Sequence, residues 1–284
     1  MTLVRRHLTV VAALVLALAT GVALGAGPLS HESLLPTTAA PAPEPAERST
    51  GPDGDEVAAA MAPSLYGSRL EGRTVALLST PGTDPATLDA LTEGVEAAGG
   101  AVTGRWTAGE SLVGPGEKTL VDTLGSQLLD QLDGRGADAN AAAYERMGQL
   151  LGTAIASRQP EGVAPGPDAL TIRQSLDAAS LLAHGRGTPR RAPLVLVVLG
   201  EDLDDHVVGD LVEGLTSRAS GVVVAAPAGS ADLEVLAEPG TVTTVAGVAG
   251  DLGRLAAVLA LARADRAPGR AFGASGSDPL LPLR

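Results

Sequence analysis

Five short apolar segments, separated by stretches with helical spacing, most constrain what this chain can fold into. Several of them, such as "PLVLVVLG", are apolar on both faces of an extended strand, which is typical of a parallel sheet covered by helices on both sides. Strands alternating with helices indicate βαβ units. We therefore predict an α/β, Rossmann-like, doubly wound domain with a mostly parallel sheet over residues 73–268. The predicted strands cover residues 74–80, 101–107, 193–200, 221–227 and 241–247.

The expected strand order is 2-1-3-4-5, which is common among doubly wound sheets. In the second strand, Thr103 and Arg105 alternate with Val102 and Trp106, and this half-polar pattern predicts an edge position. Between the second and third strands, residues 117–185 are predicted to form a helical insertion. Three helices are predicted in the insertion, at 120–132, 141–156 and 169–182. Outside it, helices are predicted in "DPATLDALTEGVEAAGG", at 204–219, at 232–237 and in "DLGRLAAVLALARADR", and an irregular tail at 269–284.

The segment "LTVVAALVLALATGVALGAGPL" at residues 8–29 contains no charged residue and follows Arg5 and Arg6. Its 22 residues would span about 33 Å as a helix, close to the thickness of a hydrocarbon core. We predict a retained transmembrane helix within residues 1–30, with the arginines cytoplasmic and the acidic domain outside. The alternative is a signal peptide cleaved near Ala23 or Gly25.

Residues 31–72, including "PTTAAPAPEPAERSTGPDGDE", are rich in Pro, Ala, Glu and Gly and sustain no apolar period. Such a segment buries too little apolar surface to offset the entropy lost on ordering. We predict a disordered, extended linker between the membrane anchor and the α/β domain.

Charge and composition exclude several classes of function. A net charge of −13 argues against nucleic acid as a partner, because binding requires a basic face for the phosphates. The sequence contains no cysteine, so it has neither disulfides nor thiolate metal ligands. The first strand is followed by "STPGTDPATL", without the glycine spacing that approaches a pyrophosphate. No nucleophile motif stands at an expected turn, so we predict neither an enzyme nor a cofactor.

Acidic residues and a histidine crowd the end of the third predicted strand, where open α/β sheets place ligands. Asp204, Asp205 and His206 are the candidate ligands of a divalent cation, or else Asp204 and its neighbours cap the helix that begins there. The chain is expected to reverse direction between the first and third strands. Ser79, Thr80, Glu201 and Asp202 should therefore meet in one crevice. His184, at the end of a predicted helix, is assigned to the helix dipole.

Three blocks resemble a known family: "RRHLTVVAALVLALATGVALGAGPL", "GRTVALLSTPGTDPATLDALTEGVEAAGGAVTG" and "GVAGDLGRLAAVLALARADRAPGRAFGASGSDPLLP". Together with "PLVLVVLG" they occur in the order found in the mycobacterial copper-transport protein B family of actinobacteria. The resemblance implies a membrane-anchored envelope protein of copper homeostasis, described as a channel-forming outer-membrane component. Copper would then be the transported ion, and a homo-oligomer or an envelope protein the partner.

Residue chemistry favours a second hypothesis beside copper transport. Copper(I) prefers thiolates and thioethers and copper(II) prefers imidazoles, yet the chain has no Cys, four His and three Met. A single apolar helix also cannot enclose a pore. The alternative function is a non-catalytic, membrane-tethered envelope scaffold that binds a protein partner.

Overall fold

Seven strands form one sheet in the computed structural model, which describes residues 52–185, 190–201, 203–230, 233, 236, 242–273 and 281–283. Its order is β3-β2-β1-β4-β5-β6-β7, with only the β2–β3 pair antiparallel. The strands are β1 (Thr74–Ser79), β2 (Ala101–Ala108), β3 (Leu182–His184), β4 (Leu194–Val198), β5 (Gly221–Ala226), β6 (Thr243–Ala246) and β7 (Ala271–Gly273). The α/β class and the order of the five predicted strands are confirmed. The Rossmann-like assignment stays a prediction.

The eight α-helices found in the described residues are α1 (Pro52–Tyr66), α2 (Pro85–Ala97), α3 (Glu110–Val113), α4 (Lys118–Gln131), α5 (Ala143–Ile155), α6 (Pro167–Ala178), α7 (Asp205–Thr216) and α8 (Asp251–Leu261). Side chains alternate across the strands, so the sheet supports two cores. Helices α4 to α7 cover the face that bears Leu78 and Val197. Helices α1, α2 and α8 cover the face that bears Leu77 and Leu196. The predicted helix at 232–237 lies mostly outside the described residues.

The prediction that β2 is an edge strand is wrong. Strand β3 pairs with its last three residues and places His184 opposite Trp106. The sequence predicted a helix through residue 182, but α6 ends at Ala178 because Ser180 adopts a left-handed φ of 57°. Leu181 then returns to the sheet, where its carbonyl accepts a hydrogen bond from Gly109 N at 2.9 Å.

The prediction of an irregular tail at residues 269–284 is also wrong over Ala271–Gly273, which forms β7 beside β6. Gly273 has a φ of 94°, and a Cβ atom there would lie 2.2 Å from the carbonyl oxygen of Ala246. A glycine is therefore required for this close approach. A three-residue strand shows too little alternation to be recognised from sequence.

The extended linker predicted for residues 31–72 is wrong over Pro52–Tyr66, which forms α1. This helix buries Ala58 and Tyr66 in the core beneath α8, and such packing supplies most helical stability in proteins. Asp55 Oδ1 also accepts a hydrogen bond from Leu252 N at 3.1 Å, and so caps α8 from another helix. The predicted anchor lies outside the described residues, among which no helix combines the length and apolarity needed to cross a membrane.

Candidate functional site

The carboxyl edge of the sheet, between β1 and β4, is the place where the sequence predicts a crevice. There the loop after β1 contacts the loop after β4. Thr80 Oγ1 accepts a hydrogen bond from Gly200 N at 2.8 Å, and Thr80 N donates to Val198 O at 3.0 Å. A Cβ atom on Gly200 would lie only 1.9 Å from the carbonyl oxygen of Pro81. The two loops therefore fill the point at which the strand order reverses.

The structure brings together only part of the predicted crevice set. The Glu201 amide lies 3.6 Å from the Cβ position of Gly82, so Glu201 and the loop after Thr80 are neighbours. Ser79 instead faces β2, where its hydroxyl donates to Trp106 O at 3.2 Å. It shares a strand face with Leu77, as the two-residue period of a strand requires. Asp202 lies outside the described residues.

The predicted metal candidates stand at the start of α7. Asp204 Oδ1 accepts two hydrogen bonds from backbone amides of this helix, His206 N and Val207 N, each at 3.1 Å. These bonds satisfy donors that a helix N-terminus leaves open. The capping interpretation of Asp204 is thus confirmed. Within the described part of the chain, no three His, Cys, Asp or Glu side chains are grouped so as to hold a metal ion.

A cavity of about 270 Å³ lies between α2 and the ends of β1 and β2. Its walls combine the apolar side chains of Leu77 and Leu88 with the hydroxyls of Ser79 and Thr107. Arg105 and Asp89 form an ion pair in its lining. This lining can hydrogen-bond a small polar molecule. Sequence reasoning assigned Arg105 only to an edge strand, since its partner Asp89 is far away along the chain.

An aromatic and cationic cluster occupies the other face of β2, where Trp106 and Arg173 are buried and His184 is exposed. The Arg173 guanidinium carbon lies 4.7 Å from the Trp106 ring centroid, and the His184 ring lies 4.6 Å from it. Arg173 Nε donates to Ala154 O at 3.0 Å. Burial, followed by the neighbouring charge of Arg191, lowers the pKa of Arg173 to about 10. Burial and then Arg173 hold the pKa of His184 below its ordinary value.

This cluster replaces the role that the sequence suggested for His184. The imidazole does not lie at a helix end but in β3, where its ring is tilted by 56° against the ring of Trp106. Only the antiparallel register of β3 brings the two rings together, and that register depends on the turn at Ser180. The cluster ties the helical insertion to the sheet, because α6 supplies Arg173 and β2 supplies Trp106.

A protein-family model described as "Copper transport outer membrane protein, MctB" matches residues 1–282, nearly the whole chain. No curated protein matches the chain significantly.

Proposed function

Since the chain belongs to the MctB family of copper transport outer membrane proteins, we propose that it is a membrane-anchored accessory of copper transport. In this proposal the α/β domain is non-catalytic and binds a protein partner of the envelope. The apolar segment at residues 8–29 keeps the protein at the membrane. Copper is the cargo of the system in which the protein works.

The closed junction between the loops after β1 and β4, where the strand order reverses, is the observation that carries this proposal. In open α/β folds this edge is where small ligands are held, but here Gly200 and Pro81 are in direct contact and Thr80 links the two loops. A domain whose usual ligand position is filled by its own backbone is suited to presenting an outer surface to a partner.

The supply of copper ligands agrees with an accessory role. The chain has no Cys and four His, and the described histidines, His184 and His206, lie on β3 and α7. Met147, whose thioether could bind copper(I), is 0% exposed in the core between the sheet and α5. Met61 is exposed but lies on α1, away from the elements that carry the histidines. Each of these side chains is either buried in the core or lies on a different helix or strand from the others.

Copper accumulation in a deletion strain tests the proposal. We expect the full chain to restore low cellular copper, and a chain without residues 1–30, exported by an unrelated signal peptide, to fail. A triple variant with Asp204, Asp205 and His206 changed to Ala should still restore it if it folds, which circular dichroism would check. Loss of function in a folded triple variant would indicate a direct metal role instead.

Channel formation by the chain itself is the second candidate function, and the family description of a transport protein favours it. Purified full chain in planar lipid bilayers separates the two. An accessory protein gives no conductance alone, whereas stepwise currents from the purified chain would replace our proposal with a channel.

A further inference from the structure

Helix α1 is apolar on both of its sides, although one side faces outward. Its inner side packs Ala58 and Tyr66 against the core. Its outward side carries Val57, Ala60, Met61 and Ser64, which we call the α1 outer face, and all four are exposed. Val57 is 57% exposed and Met61 is 49% exposed. A surface helix ordinarily places polar residues outward, and one that is apolar all round is ordinarily buried.

The α1 outer face also lacks charge. From Val57 to Ser68 the sequence "VAAAMAPSLYGS" has no ionisable acid or base other than Tyr66, whose ring is buried. The chain as a whole carries a charge of −13, so two copies repel each other over most of their surface. Two such copies therefore meet with the least electrostatic repulsion at an uncharged, apolar helix face.

We infer that the α1 outer face is the contact between two copies of this chain, with the two α1 helices antiparallel about a two-fold axis near Ala60 and Met61. In that arrangement Val57 of one copy meets Ser64 of the other. The exposed Glu56 of one copy then lies opposite Leu65 of the other, whose carbonyl accepts a hydrogen bond from the exposed Arg69 Nε at 2.8 Å, so that opposite charges approach each other. A parallel pair would instead bring the two acidic ends together.

A lipid surface fits this face less well. Helices that lie in a membrane interface combine bulky apolar residues with Lys or Arg on the polar side. Helix α1, "PDGDEVAAAMAPSLY", has neither Lys nor Arg, and Val57 and Met61 are the large residues of its outer face. Its alanines suit the close approach of a second helix.

The size of the face predicts where the pair forms. A 15-residue helix is about 22 Å long, which is too short to bury the roughly 800 Å² per partner of a typical stable complex. Residues 30–51 separate α1 from the apolar segment, a distance of at most about 75 Å of extended chain. In one respect the inference rests on the proposed function, because the membrane anchor supplies the high local concentration that a small interface needs.

Cysteine cross-linking in membranes tests the inference, since the natural chain has no cysteine. Full chains carrying Met61→Cys or Ala60→Cys are treated with a short bismaleimide and separated by mass. Leu170→Cys on α6 is the matched control, because Leu170 is 44% exposed and Met61 is 49% exposed. We expect a shift from one copy to two for the α1 variants and none for the control. Adding Val57→Glu to Met61→Cys should abolish the adduct, whereas adding Leu170→Glu should leave it.

Three results would overturn the inference: no adduct from either α1 variant, equal adducts from α1 and Leu170→Cys, or an adduct whose mass shows a different protein. Copper accumulation measured in the same strains keeps the two proposals separable. An adduct of two copies in cells whose copper level does not depend on the protein would count against the proposed function and leave this contact standing.

Discussion

Thr80 joins the two loops at the carboxyl edge of the sheet, and its hydroxyl is the only acceptor recorded in the described structure for the buried Gly200 amide. We expect Thr80→Val to leave that donor unsatisfied and to lower the free energy of unfolding by about 1–3 kcal/mol. Urea denaturation followed by circular dichroism measures the change. Thr80→Ser keeps the hydroxyl, so its free energy of unfolding should fall by less than that of Thr80→Val. Equal decreases in the two variants would contradict the role of this bond.

Asp55 caps a helix to which it does not belong. Helix α8 begins after Gly250, which has no side chain of its own to cap the helix, and Asp55 from α1 bonds to Leu252 N at 3.1 Å. Removing a cap usually costs about 1 kcal/mol, and we expect that loss from Asp55→Ala in thermal or urea unfolding. The control is Glu56→Ala, since Glu56 is exposed on the same helix. A similar loss from both variants would disprove the cap.

His184 makes stability depend on pH. Burial and Arg173 lower its pKa in the folded chain, so between the unfolded pKa of about 6.5 and the lower folded value the unfolded chain binds more protons. The stability of the fold with a neutral His184 is therefore fully present above the unfolded pKa. Part of it is lost as the pH falls through this window. Unfolding measured from pH 8 to 5 should show a shallower decline for His184→Gln. Identical slopes in the two chains would rule out this assignment.

The residues of the carboxyl edge show what a sequence can and cannot reveal about a site. Thr80 and Glu201 follow neighbouring parallel strands, and strand order alone is enough to predict that their loops meet. The orientation of Ser79 depends on the pleat of β1, which turns its hydroxyl toward Trp106 O. The contact of Gly200 with Pro81 depends on the exact path of two loops, and no residue pattern encodes it.

Helices α5 and α7 approach so closely that glycines are required between them. A Cβ atom on Gly214 of α7 would lie 2.1 Å from Glu145 O, while one on Gly209 of the same helix would have no neighbour within 4 Å. We expect Gly214→Ala to lower the free energy of unfolding by about 1–3 kcal/mol or more. Gly209→Ala should raise it by about 0.5–1 kcal/mol, because alanine is the better helix former. If both variants gain stability in urea, the close packing is disproved.

Element length decided which parts of the fold the sequence could predict. Strands β4 and β5 are continuous apolar runs of five and six residues, β1 contains the apolar run Val75–Leu78, and α4 to α6 have a clear apolar period. Strands β3 and β7 have three residues each, and their position depends on partners supplied by β2 and β6. Helix α1 was missed because its Ala- and Pro-rich sequence lacks an amphipathic pattern, having apolar residues on both sides.

For the whole chain, the fate of the apolar segment at residues 8–29 remains a prediction that one fractionation can test. We expect the protein to stay with membranes after an alkaline carbonate wash and to keep Arg5 and Arg6 at its N-terminus, since the segment is long enough to span a bilayer. N-terminal sequencing or intact mass identifies the mature end. A chain that begins at Ala26 or Pro28 and is released by the wash would instead show a cleaved signal peptide.

The position of α1 in the chain decides which element bears a pulling force first. Any pulling force transmitted from the N-terminus reaches α1 before it reaches β1, which lies inside the sheet between β2 and β4. Within the described residues, the attachments nearest to the N-terminus are the Asp55 bond to Leu252 N and the apolar packing of α1 on α8. In the proposed membrane-anchored protein, we expect α1 to detach from α8 and lengthen the connection to the membrane before any of the seven strands bears the force.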